Sequence, residues 1–323
     1  RNESIQGAWG DWIWWMDSVT GETPIPVRRI GSPFFEYIEI RELLPPSLRE
    51  RHGRLWKRAD YETLTHLGWQ PIRWVMQHHT IDRRARTKKK LLRVIDDEGD
   101  VRVTEDHSLM SGGRAIKGID VKNGTMLDHK FVSANDAANV STMSPALAEA
   151  WGFFAAEGSA YVKNTKNGTR NNGWTLNNTD LSLIEKYRPV FEAAHVRTFY
   201  VVIDQQIHKR PCYKLWPQQP YDLAHLYRQS FYSAAGRKKV PREVLNGNQE
   251  IKKAFLRGYE AGDGHVRRTT SDGRQLQAFT TNSPLLAAGL LYLYKTSEGR
   301  EFFCSSRRDK PHIVQCTERS GAL

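Results

Sequence analysis

The sequence predicts two bodies, an all-β N-terminal part and an α+β C-terminal part with an internal repeat. Three observations carry this. Short β-like runs punctuated by glycine fill residues 18–138, Ser144 and Pro145 form a helix-start signal ahead of longer helices, and a pattern of helix, acid and glycine then occurs twice. At 323 residues, each body can bury its own core without disulfides or a structural metal.

Hydrophobic residues make up 39% and charged residues 26%, which is ordinary for globular proteins, and no apolar run reaches the length of a membrane span. The aromatic stretch at 12–16 is too short for a signal peptide and lies between Asp11 and Asp17. Cys212, Cys304 and Cys316 are odd in number and lack metal-ligand spacing, so neither a disulfide framework nor a zinc site is expected. A reducing, intracellular setting fits such thiols. The net charge of +12 favours a polyanionic partner, because Lys and Arg displace the counterions of phosphates.

The β-like runs of the first part lie at 25–30, 91–95 and 101–103, with Gly31, Gly99, Gly113 and Gly124 between and after them. A boundary near residue 140 follows from the change of texture. Beyond it, residues 150–158 read AWGFFAAEG and residues 256–264 read LRGYEAGDG. The first copy continues through Asn177 and Asn178 to a helix at 181–194, the second through Thr281 and Asn282 to a helix at 284–294. Gly152 and Ala156 share one helix face, as do Gly258 and Gly262, and small pairs at this spacing let two helix backbones approach.

Each small pair is followed by a carboxylate, Glu157 or Asp263, and then by a glycine expected to end the helix in the left-handed conformation. Packing the helices together brings both carboxylates to the negative ends of two helix dipoles, which is tolerable when a cation lies between them or one is protonated. Mg²⁺ is the natural cation. One such segment alone reads more simply as a capped helix with a solvated acid; its duplication favours a paired site.

Residues 142–323 resemble the LAGLIDADG homing endonucleases, whose paired motif helices join two halves and present two metal-binding acids to DNA. The resemblance implies a pseudo-twofold αββαββα architecture, a monomer, and site-specific, Mg²⁺-dependent cleavage of double-stranded DNA. Lys238, Lys239, Val240 and Pro241 match the family's KKxP-like segment, which makes both lysines catalytic candidates. The segment from Phe279 looks like a later family helix, and that from Lys310 like the last strand of its saddle-shaped sheet. Glu157 stands where aspartate is usual, one methylene longer. On the saddle, DNA contacts are expected from Lys163, Lys166, Arg170, Lys209, Lys214, Arg267, Arg268, Arg274, Arg307 and Arg308, several of them merely solvated.

Upstream, SVTGETPI begins at Ser18 and VTEDHSL at Val103. An acyl shift needs a hydroxyl nucleophile, a polarised amide and a proton donor, and Ser18, Thr104 and His107 supply such groups. The two segments together resemble inteins, and GWQPIRWVMQHHT from Gly68 is similar to inteins of family B DNA polymerases. The resemblance implies a Hint-type splicing domain, N-terminal part, in which Ser18 Oγ attacks the Asp17 carbonyl, His107 protonates the leaving nitrogen and Thr104 orients the peptide. It divides the chain into a host (extein) flank at 1–17, a splicing domain at 18–140 and an endonuclease at 141–323. Inteins finish with further β motifs and a terminal His-Asn; no asparagine follows Asn282, so the C-terminal splicing motifs are expected to lie outside this chain.

Two other readings compete with an intein fragment carrying an endonuclease. One is a DNA-binding protein or RNA maturase on the same scaffold without cleavage; the other is an autoprocessing domain that never cuts DNA. The joint presence of Ser18 and the Thr104 to His107 block favours the first, since a free-standing endonuclease does not need them.

Overall fold

The computed structural model describes residues 19–45, 54–57, 60–65, 67–77, 81–82, 87–95, 100–128, 140–164, 170–205, 210–269, 275–306 and 314–318. The expected flank at 1–17 and Ser18 lie outside these residues. Up to residue 128 the regular elements described are strands and two short 3-10 turns. Strands β1 (Pro24–Arg29), β2 (Phe35–Glu39), β3 (Arg54–Lys57), β4 (Tyr61–Thr65), β5 (Gly68–Pro71) and β6 (Trp74–Gln77) come first. After them run β7 (Ile81–Asp82), β8 (Thr87–Lys88), β9 (Leu91–Ile95), β10 (Asp100–Thr104), β11 (Ser108–Ser111) and β12 (Arg114–Lys117).

The main sheet has the order β2-β1-β4-β5, and the remaining strands pair as antiparallel ribbons. Gly31, at φ 80°, takes the left-handed turn between β1 and β2 that a side chain would strain. Alternation along these strands buries Ile25, Val27 and Ile38 with Leu43 in a small core.

The second body opens with α1 (Pro145–Glu157). Ser144 caps it by accepting a hydrogen bond from the Leu147 N–H at 3.3 Å, with proline at the first helical turn as expected. There follow β13 (Gly158–Asn164), β14 (Arg170–Asn178), α2 (Leu181–His195), β15 (Phe199–Asp204), β16 (Cys212–Pro217), α3 (Tyr221–Phe231) and α4 (Arg242–Leu245). The second copy comprises α5 (Gln249–Asp263), β17 (His265–Thr269), β18 (Gln275–Thr281), α6 (Pro284–Glu298), β19 (Phe302–Ser306) and β20 (Val314–Glu318). Its sheet order, β17-β18-β20-β19, repeats the order β13-β14-β16-β15 of the first, as internal duplication demands.

The copies join through α1 and α5, whose backbones touch. A Cβ on Gly152 would fall 1.9 Å from the Phe255 carbonyl oxygen, and one on Gly258 would fall 1.8 Å from that of Glu149. One turn on, a Cβ on Gly262 would sit 2.6 Å from the Ala156 Cβ. The cores behind the two helices differ. Phe154 stacks on Trp174 and meets Tyr227 and Phe231 edge-on. At the matching place in the second copy, Glu260 accepts from the Tyr294 hydroxyl and from Arg300, which also pairs with Glu318.

One expectation is corrected. Gly158 and Gly264 are extended, with φ −85° and −71°, and not left-handed. The chain runs straight from each helix into a strand, and glycine is needed for space: a Cβ would fall 2.1 Å from the Phe154 ring at Gly158, and 2.6 Å from Glu260 backbone at Gly264.

The bodies are also stitched together across the expected boundary near 140. Phe35 of β2 belongs to the large core of the second body. The Asn246 side chain pairs with both backbone groups of Phe35, accepting from its N–H at 3.0 Å and donating to its carbonyl at 2.7 Å. No helix among the described residues is long and apolar enough to cross a membrane.

Candidate active site

Both motif carboxylates lie at the carboxyl ends of α1 and α5, which the close helix contact holds side by side. Burial pushes the Glu157 carboxyl up to about 7, and the neighbouring charge of Asp263 adds to the effect against the pull of Lys238 and of an Asn178 hydrogen bond. Asp263 is also raised by desolvation, while Lys238, the Tyr259 hydroxyl and His265 draw it down. Lys238 is driven down to about 8 by burial, with both carboxylates opposing that shift. Its ammonium donates to the Ala155 carbonyl at 2.8 Å and the Ala156 carbonyl at 3.3 Å, both in the last turn of α1, where helix carbonyls lack intrahelical donors.

Glu157, Asp263 and Lys238 therefore converge, but Lys239 does not join them. Adjacent residues of an extended segment point to opposite sides. The Lys239 ammonium turns away and pairs with Glu36 of β2 at 2.5 Å. Two contributors escaped the sequence reading. Asn178 Nδ2 donates to Glu157 Oε1 at 3.0 Å, and the Tyr259 hydroxyl lies beside Asp263. Asn178 belonged to the repeated Thr/Asn turn, so its recurrence was the available signal.

A metal-free parent should show the carboxyl coupling in its stability. Because the folded-state pKa of Glu157 is raised from 4.5 to about 7, its contribution is fully present below about 4.5 and is lost as pH rises through about 7. Glu157→Gln cannot titrate there. Thermal melts in chelator should show the parent losing stability relative to this variant as pH rises across that window, and parallel curves would refute the assigned environment.

The described residues hold no cluster of three or more His, Cys, Asp or Glu side chains suited to a metal. Two hard carboxylates do suit Mg²⁺, which binds through one or two such groups and completes its shell with phosphate and water oxygens. The donors present therefore fit a divalent cation shared with a phosphodiester. Lys238 and Asp263 line a cleft of about 1000 Å³ together with Asn282 and, from the first body, Thr20, Glu22 and Arg102.

Across that cleft, the two splicing-like segments come together. Val19 forms an antiparallel bridge with Val103, and the Thr20 N–H donates to the Arg102 carbonyl at 3.0 Å. Thr104 and His107 are both buried. Thr104 Oγ1 donates to Asp106 at 2.6 Å, and Lys89 pairs with the other oxygen of Asp106, holding that carboxyl below its usual range.

Of the expected DNA-contact residues, Lys214 is engaged by Asp204 on the adjacent strand at 2.5 Å. Lys163, Arg170, Arg267 and Arg268 lie on β13, β14 and β17, with side chains outside the described set. Lys166, Lys209, Arg274, Arg307 and Arg308 lie outside the described residues altogether.

Two matching sheets around paired small-residue helices, each helix ending in an acid, define a LAGLIDADG endonuclease-like body. Over nearly its whole length the chain is related to a segment of proteins named DNA polymerase. It is 32% identical to the one of Acanthamoeba polyphaga mimivirus over 322 residues, 95% of this chain and 18% of that protein. It is 26% identical to the one of Thermococcus hydrothermalis, over 81% of this chain and 16% of that protein. The chain thus spans less than a fifth of the length of these relatives. Among solved structures, the homing endonuclease I-DmoI is similar to 55% of this chain and 89% of its own, with 12% identity and a TM-score of 0.39. The N-terminal LAGLIDADG domain of DUF199/WhiA covers 57% of this chain and 80% of its own, at 12% identity and a TM-score of 0.36. No family model matches the chain. The names of the sequence relatives accord with the DNA polymerase host class that the intein resemblance implied.

Proposed function

We propose that the second body is a site-specific, divalent-metal-dependent endonuclease for double-stranded DNA. The observation that carries this reading is the meeting of Glu157 and Asp263, with Lys238 beside them, at the ends of two helices in backbone contact. When bound, Mg²⁺ supplies positive charge for the attacking water and the departing oxygen of the phosphodiester. Glu157 and Asp263 hold that charge in place, one from each repeat, so that each repeat serves one strand. Asn178 fixes the Glu157 carboxylate, and Lys238 offers a proton or a positive charge to a phosphate oxygen.

Binding tests the substrate class first. Neutralising roughly 5 to 10 phosphates should weaken duplex affinity on the order of 1000-fold or more between about 50 and 200 mM salt. Fluorescence anisotropy should show this slope, and a nearly flat one would remove duplex DNA as the partner. A parent that binds but never cuts would favour the reading as a DNA-binding protein or RNA maturase, with the extra methylene of Glu157 as the cause.

We also propose that the first body is part of a Hint-type splicing domain, with Ser18 as the acyl-shift nucleophile and a family B DNA polymerase as host. The bridge between Val19 and Val103 supports this, because it sets the residue after Ser18 against the strand that ends in Thr104. Hydroxylamine should release residues 1–17 through an ester at Ser18. Mass spectrometry of the parent and Ser18→Ala checks it, and equal release from both sinks the assignment.

A further inference from the structure

We propose that strand β2 of the first body positions the nuclease lysine, with Glu36 and Glu39 clamping the residues on either side of Lys238. The inference rests on the endonuclease reading. Arg237 Nε pairs with Glu39 Oε1 at 3.0 Å, and Lys239 Nζ pairs with Glu36 Oε2 at 2.5 Å. Between these two anchors, the Lys238 side chain crosses the other way to the end of α1, and its carbonyl accepts from the Ser283 hydroxyl.

The backbone of the segment is held separately, the Arg237 N–H also donating to Ser233 Oγ at 3.2 Å. It is a tight turn in which Gly236 has φ 85°, closed by the Ser233 N–H donating to the Arg237 carbonyl at 2.8 Å and the Lys239 N–H donating to that of Phe231 at 2.7 Å. Those backbone bonds set its path, and alternation along it sends Lys238 to the side opposite Arg237 and Lys239. The two glutamates hold that alternation from outside, by taking the flanking cations. Glu39 is fully buried and also binds Arg41 at 2.8 Å, so it cannot swing to follow a moving loop. Its strand is itself tied down by Asn246 at Phe35. Glu36 and Glu39 therefore act as positioning residues that make the nuclease centre depend on a strand of the other body.

The test uses the full chain with Glu36→Gln and, separately, Glu39→Gln. Glu36 is partly exposed, so its variant keeps the test open if loss of the buried Glu39 charge prevents folding. Single-turnover cutting should fall about 10- to 100-fold, the scale of a misplaced catalytic group, while duplex affinity in Ca²⁺ holds. Amide hydrogen exchange at 237–240 should quicken with the global melting temperature little changed. The charge swap Glu36→Lys with Lys239→Glu should restore both readings. Unchanged exchange and cutting in the folded variants would overturn the proposal, as would matched losses of affinity and melting temperature that the swap leaves in place. A parent that binds without cutting would remove the nuclease reading, and hydrogen exchange with its rescue by the swap would then decide whether the clamp exists.

Discussion

Glu157→Gln and Asp263→Asn should each lower DNA cleavage about 100-fold or more, the scale of losing one electrostatic stabiliser of a transition state, while duplex affinity holds or improves. Both substitutions remove charge with little change of shape. Affinity should hold because two carboxylates facing phosphate repel it when no cation lies between them, and each amide relieves that repulsion. Glu157 should be the more forgiving position for folding, since its carboxyl is already pushed up to about 7 and is largely neutral in mild acid. The assay is parallel nicking in Mg²⁺ and binding in chelator, on a duplex rebuilt from the uninterrupted host sequence around the Asp17 to Ser18 junction. Cutting by both variants at the parent's rate would remove the paired carboxylates from the chemistry. Loss of affinity in step with cutting would assign them to binding.

Gly152→Ala and Gly258→Ala should each destabilise the second body by about 3 kcal/mol or more, at or beyond the upper end of ordinary overpacking. The new methyl would meet the Phe255 or the Glu149 backbone carbonyl oxygen at less than 2 Å, and these obstacles sit within helices and have no rotamer to change. Relief requires α1 and α5 to separate, which opens voids along the whole contact. Urea unfolding should show a lower midpoint with the slope unchanged. A midpoint shift within the scatter typical of surface substitutions would mean that the helices are not in backbone contact.

These glycines were legible in the sequence because close backbone approach has only one chemical solution, and the duplicated spacing showed that two helices share it. The Ser144 cap and the strands at β9 and β10 were legible for similar local reasons. Lys239 was not, because a motif states which residues are present and not which side of an extended segment they face. The conformation of Gly158 and Gly264 was misread: glycine after a helix usually answers a left-handed turn, but here it answers crowding by the last helical turn. Asn246 and Phe35 lie 211 positions apart, and nothing local marks an asparagine whose amide completes a distant strand edge. The splicing-like segments were found as two motifs, and their meeting at Val19 and Val103 needed the fold.

The contact between α1 and α5 is a joint without slack. At its closest points, glycine meets carbonyl with no side chain between them, so neither half can slide or scissor without a backbone collision. Under the proposed function, the distance between Glu157 and Asp263 is then a fixed ruler laid against the substrate. A duplex whose scissile phosphates do not match that ruler has to bend or twist to be cut, and the cost of doing so depends on the stiffness of its base steps. Target choice would be weighed partly at base pairs that no side chain touches, by the mechanics of the DNA.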